Sequence, residues 1–324
     1  MKKKQMYLGI YLPIVFIMVA AAVALRTAAI FTDLDPLTGY YGDKTLLTAA
    51  SVIIAASVLF GLSYLIFGNR RLKLAASFDT PATYIPSATV AVSLLFVAFG
   101  LVRDVSAKSH GIYDGEFLRS NALPLITAFL ALLAIVGFFL TSFSPKRENL
   151  SRAAFGIMTV IFILAYAAML YFDDSMPMNA PDRIVDLMAY VIASIFFLYE
   201  IRLSLGRDVW FAYISFGMVG GAVTAYSSIP SIIAYFVTGQ TVSSSLYESI
   251  LTFSLLVFTA SRVLLTLKLT EDKDIPFVEM IKAAERKRNA EAEESEEILD
   301  DTKDEVANYT FDIAEQKQDS EEGQ

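Results

Sequence analysis

The stretch "GMVGGAVTAYSSIPSIIAYFVTG", residues 217–239, decides what kind of chain this is. It carries no charged side chain, and it is long enough for a helix to cross hydrocarbon, which takes about 20 residues. It also carries three glycines in five positions, a run of hydroxyls and Pro230. Those residues mark either a solute pathway or a seam where two helices pack closely.

Comparable apolar stretches recur along the chain, at 7–30, 46–67, 85–102, 122–143, 152–172, 184–201, 209–237 and 247–268. Of the 324 residues, 55% are hydrophobic, too many for an ordinary soluble domain. The runs are continuous, whereas the strands of a membrane barrel alternate and are about half as long. The predicted fold class is therefore all-α, a polytopic membrane bundle of about eight transmembrane helices.

Lys and Arg set the expected orientation. The N-terminus (Lys2, Lys3, Lys4) and alternate short loops (Arg70, Arg71, Lys73; Lys146, Arg147, Arg152; Arg202, Arg207) hold eleven cations. The other loops (Lys44; Arg103, Lys108, Arg119; Arg183) hold five. Positive loops stay cytoplasmic, so both termini are expected there and the protein is expected in the cell membrane as a multi-pass protein. The first segment, "MKKKQMYLGIYLPIVFIMVAAAVA", has small residues where a signal peptide is cleaved. Its apolar run continues past them, so an uncleaved helix is expected.

The net charge of −8 misleads when read over the whole chain. Residues 271–324 hold 19 acidic and 7 basic side chains, and the remainder is net positive. The acidity belongs to a tail, which argues against a nucleic-acid partner. Three regions follow: a helical bundle over 1–270, a juxtamembrane amphipathic and basic segment over 271–290, and an acidic, disordered tail over 291–324. In the middle region Phe277, Val278 and Ile281 share a face ahead of Arg286, Lys287 and Arg288, suited to lying on a lipid surface. In the tail, Tyr309, Phe311 and Ile313 alternate and suit strand addition to a cytoplasmic protein partner, or the tail only solubilises.

Absences bound the chemistry. The chain has no cysteine, which excludes disulfides and thiolate metal sites, and its single histidine, His110, excludes multi-histidine centres. No P-loop, dinucleotide fingerprint or G-x-S-x-G elbow is present. No cofactor, metal or catalytic residue is assigned, and an enzyme is not expected. The loop pieces "GYYGD" and "GIYDGE" hint at a repeated hairpin, at unequal intervals.

At helical spacing Gly217, Gly221, Thr224, Ser228, Ser231 and Tyr235 fall on one face. As a packing seam, Gly217-x-x-x-Gly221 brings backbones together and the hydroxyls bond across the contact. As a pathway, Thr224, Ser228, Ser231 and Tyr235 line a solute route, and Pro230 frees backbone carbonyls. Two more polar stripes accompany it: Asp186, Tyr190, Ala193, Phe197 and Glu200 on the sixth segment, and Glu248, Thr252, Leu255, Thr259 and Arg262 on the eighth. A charge inside a membrane helix costs about 2.5–3.5 kcal/mol unless it pairs or meets water. Two charge layers are expected: Arg26 with Asp186, Glu248 or both near the outer face, and Glu200 with Arg262 near the inner. They act as gates around a cavity or as structural clamps.

"TDLDP" places Asp33-x-Asp35 just after the first segment. It resembles the acidic motif in the first external loop of polytopic glycosyltransferases that use lipid-linked sugar donors, and a resemblance to that family implies a sugar-transfer site here. The large external loops of that family are missing, and Asp33 also suits a turn into Pro36. The expected function is a small-solute permease or a permease-like membrane component. The alternative is a sensor or scaffold recruiting a cytoplasmic partner through the tail, with the lipid-linked-sugar glycosyltransferase more remote.

Overall fold

The computed structural model describes residues 8–35, 40–67, 81–109, 115–143, 150–172, 180–205, 207, 209–239 and 245–270. Several residues named above lie outside the described ones: Lys2–Lys4, Arg70, Arg71, Lys73, Lys146, Arg147, His110, and the whole of 271–324 with Tyr309, Phe311 and Ile313.

The described chain is helical: α1 Leu8–Asp33, α2 Thr45–Phe67, α3 Pro81–Ser109, α4 Gly115–Ser120, α5 Ala122–Phe143, α6 Leu150–Tyr171, α7 Pro181–Ser204, α8 Trp210–Thr238 and α9 Leu246–Thr270. All but α4 are long and apolar enough to cross a membrane, so the protein is an all-α, multi-pass membrane protein with eight spanning helices. The short helix α4, "GEFLRS", lies in a segment expected to be loop, with Glu116 in its first turn and Arg119 in its last. In the loop after α1 a single antiparallel bridge joins Leu34 to Tyr41. Of the second piece, Gly115 and Glu116 open α4, and residues 111–114 lie outside the described residues.

Helix ends follow local chemistry. Pro181 occupies the first turn of α7, where its missing N–H is no loss, and the helix begins three residues before the predicted boundary. Gly239 ends α8 in the left-handed conformation (φ 72°), and its N–H donates to the Tyr235 carbonyl at 2.8 Å. At α9 the sequence Ser245-Leu-Tyr-Glu248 forms the glutamate half of a capping box. Glu248 Oε2 accepts the Ser245 N–H at 3.0 Å, and the Glu248 N–H donates to the Ser245 carbonyl at 3.0 Å.

Six helices close a ring, α3–α5–α6–α7–α8–α9 and back to α3, while α1 and α2 pack on one another and on α8. Helix α8 is therefore shared by both groups. Of its apolar window 72% is buried, against 22% for α2. That inverts the soluble-protein pattern: the most polar span sits inside, and large apolar side chains such as Phe96, Phe99 and Phe236 point outward. Hydrocarbon does not drive apolar faces together, so small and hydroxyl-bearing residues make the helix contacts. Below, "upper" means the end at which α7 and α9 begin, and "lower" the end at which they finish.

Candidate functional site

The upper charge layer gathers around Arg26 of α1, which is wholly buried. Its Nη2 donates to Asp182 Oδ1 at 2.5 Å, and its Nη1 donates to the Tyr226 carbonyl oxygen. That carbonyl is available for a covalent reason: the residue four positions on is Pro230, which has no N–H to close the helical bond. The guanidinium also lies 4.7 Å from the centroid of the Tyr226 ring. From the loop after α1, the Tyr41 hydroxyl donates to Asp182 at 2.9 Å and 3.1 Å. Burial, and then the neighbouring Asp182 carboxylate, push the Tyr41 hydroxyl well above its ordinary pKa, so it stays a proton donor.

The expected partners of Arg26 are thus corrected. Its direct carboxylate is Asp182, one turn nearer the start of α7 than Asp186, because the extra first turn of α7 brings Asp182 to the same face. Asp186 accepts a hydrogen bond from Ser227 of α8 at 2.5 Å. Glu248 is separated from α1 by α8, and its carboxylate caps α9. Arg183, read before only as a loop cation, donates to the Leu170 and Tyr171 carbonyls at 2.7 Å and 2.6 Å and so caps the end of α6.

The polar face of α8 turns into the bundle. Thr224, Ser228 and Ser231 are buried, and each hydroxyl donates into its own helix: Thr224 to Gly220 at 2.6 Å, Ser228 to Thr224 at 2.7 Å, Ser231 to Ser227 at 3.0 Å. Tyr235 is half-buried and meets Phe236 edge to face at 5.9 Å. The two glycines of the pair differ. A methyl group on Gly217 would collide with Val263 of α9 and lie 3.3 Å from Phe196 of α7, whereas on Gly221 it would meet only Leu256 at 4.0 Å. One true close approach exists here, not two.

The polar stripes of α7 and α9 meet inside the ring. In its upper half the Tyr190 hydroxyl lies 2.9 Å from Thr252 Oγ1 and 3.5 Å from the Glu248 carbonyl, with the Tyr166 ring of α6 edge-on at 5.1 Å. Lower down, Phe138 of α5, Phe197 of α7 and Phe258 of α9 pack together with centroids 5.3–5.7 Å apart. One turn below them Glu200 and Arg262 approach to 3.4 Å, both buried, and the Arg262 guanidinium lies 5.1 Å from the Phe258 centroid. Between the aromatic cluster and Glu200 is a cavity of about 20 Å³, bordered also by Thr159 and Ser204. That volume holds about one water molecule.

Residue spacing alone did not disclose Asp182, Tyr41, Ser227 or the role of Pro230's partner carbonyl. The Pro-Asp pair opening α7 and the Ser-x-x-Glu box opening α9 were readable signals. Around Asp33-x-Asp35, backbone bonds close the loop: Gly42 N–H to the Asp33 carbonyl at 2.8 Å and Asp35 N–H to the Tyr40 carbonyl at 2.9 Å. Among the described residues no three Asp, Glu or His converge as metal ligands. Set against protein-family models, curated proteins and solved structures, the chain matches none of them.

Proposed function

We propose that the chain is a small-solute permease, or the membrane component of one, in the cell membrane with both termini cytoplasmic. Its pathway follows the axis of the six-helix ring, not the face of α8. One arrangement carries this reading: two polar layers on a single axis, Tyr190–Thr252 above and Glu200–Arg262 below, separated by the Phe138–Phe197–Phe258 cluster. A bundle that only anchors a tail has no use for buried charge on its axis, since such charge costs stability in hydrocarbon. An aromatic constriction between two polar compartments is what an occluded pathway requires. The hydroxyls of Thr224, Ser228 and Ser231 belong to the wall of the ring and are satisfied within α8 itself.

The absence of native cysteine makes the test clean. Single cysteines at Thr252, Phe258 and Ser204 are introduced in membranes and challenged with an impermeant thiol reagent from each side. Thr252→Cys should react from the upper side and Ser204→Cys from the lower, with Phe258→Cys slow from both. Cysteines at Thr224 and Ser228 should stay protected. If every position at membrane depth is unreactive, the axis is dry. The bundle is then an anchor for the acidic tail, and the permease reading falls.

A further inference from the structure

The cavity beside Glu200 has a definite chemical preference. Its border offers acceptors. The Ser204 hydroxyl has already given its proton to the Glu200 carbonyl at 3.0 Å, and the Thr159 hydroxyl has given its own to the Phe155 carbonyl at 3.4 Å. Each oxygen then keeps lone pairs only, and the Glu200 carboxylate is an acceptor throughout. The rest of the lining is Gly137, Gly156 and Ile201 with three rings, Phe138, Phe197 and Phe258, whose π-systems attract cations and repel anions. Phe258 already bears one cation, the Arg262 guanidinium. A hard metal ion would want six or more oxygens, more than this border supplies. The space of about 20 Å³ admits a group the size of one water.

We propose that this cavity is a binding site for a small protonated nitrogen, ammonium itself or the –NH3+ head of an alkylamine. Glu200 is the counter-ion, and Arg262 is the internal cation that the ligand replaces. Four N–H donors match the carboxylate and the two hydroxyl oxygens, and the aromatic rings take the remaining face. Exchange preserves the local charge: as the ligand arrives, Arg262 withdraws along its flexible stem towards the lower end of α9, so Glu200 never faces two cations. Arg262 and Glu200 lie 3.4 Å apart, farther than the 2.5 Å of Arg26 and Asp182, as suits a partner that must let go. The route of entry rests on the ring axis being a solute pathway, whereas binding does not.

The experiment is thermal unfolding of the full chain in lipid nanodiscs. Ammonium, methylammonium, tetramethylammonium and sodium chlorides are compared at equal ionic strength. Ammonium should raise Tm saturably by about 3 °C over sodium. The Arg262→Gln variant should start lower and gain more, because the competing cation is gone. Glu200→Gln should gain nothing. A methylammonium response equal to that of ammonium assigns the site to alkylamine heads, and a smaller one assigns it to ammonium. If either variant fails to accumulate, Phe258→Leu in the otherwise native chain should weaken the ammonium response at least threefold in half-saturating concentration. Ammonium acting no differently from sodium, tetramethylammonium acting as well as ammonium, or Glu200→Gln responding in full would each overturn the proposal. Thiol accessibility separates the two readings. Reactive axis cysteines without an ammonium shift remove the cation and leave the pathway. An ammonium shift with unreactive cysteines keeps the site and removes the permease.

Discussion

Two buried arginines, Arg26 and Arg262, are held in opposite ways. Arg26 is gripped by three groups: a carboxylate from α7 at 2.5 Å, and the carbonyl and ring of Tyr226 on α8, with Tyr41 closing over the same carboxylate. Arg262 lies 3.4 Å from the carboxylate of Glu200, and Glu200 borders a cavity. Equal burial therefore does not mean equal duty. A guanidinium held by a close carboxylate and a helix carbonyl locks helices together. One set farther from a carboxylate that borders a cavity is better placed to exchange partners. The first arrangement joins α1 to the ring through α8, and the second lies inside the ring.

The contrast breaks first if Arg26 is not the stronger clasp. Arg26→Gln should cost about 3–5 kcal/mol of unfolding free energy, because it leaves Asp182 buried without its cation. Tyr41→Phe should cost only about 1 kcal/mol, for the lost hydrogen bonds. Equilibrium unfolding in mixed micelles reads both. If Asp186→Asn proves as damaging as Asp182→Asn, the assignment of the clasp to Asp182 is wrong.

Next in size is the seam that joins α8 to α7 and α9. Gly217→Ala forces a methyl group against Val263 and Phe196 and should destabilise by about 1–3 kcal/mol, while Gly221→Ala should stay within about 0.5 kcal/mol. Equal effects at the two glycines would mean that the close approach is misplaced.

The lower pair should couple weakly. A double-mutant cycle on Glu200→Gln and Arg262→Gln is expected to give about 1 kcal/mol, the low end for contacting charges. Reversing both residues should recover part of the single-site losses. Additivity to within about 0.5 kcal/mol would show that the two charges do not act as a pair, and the lower gate would be lost with it.

The smallest effect belongs to the α8 hydroxyls. Ser228→Ala removes a bond from a side chain to its own helix, and stability should change by no more than about 0.5 kcal/mol. Solute flux should also be unaffected, if the route lies on the ring axis. A large loss of flux with stability intact would return the pathway to α8.

Much of this arrangement was legible in residue spacing. The eight spans were readable because a helix crossing hydrocarbon must be long and apolar whatever it touches. The stripes of α7 and α9 were readable because charge and hydroxyl recur at helical intervals, and this brought Glu200 and Arg262 to matching depth. What stayed hidden was pairing between helices. Arg26 had three carboxylates within its range of depth, and only the position of α8 between α1 and α9 removes Glu248 from the choice. Tyr41 gave no signal, since a tyrosine near a membrane boundary is ordinary.

By itself the sequence determined the solvent, the eight long helices and the depth of the charges on their polar stripes, because those depend on composition and on the fixed rise of 1.5 Å per residue, about 5.4 Å per turn. Only the tertiary structure decided what each polar group faces. It turned the hydroxyl face of α8 into a wall, because each hydroxyl finds an acceptor within its own helix and needs nothing across the interface. It gave the carbonyl released by Pro230 to Arg26, a partner some 200 residues away in the chain. It also set three phenylalanines from three helices between two polar layers. Helix period fixes the height of a side chain, but its azimuth towards a neighbour depends on which helix packs there, and that is settled only when the whole bundle closes.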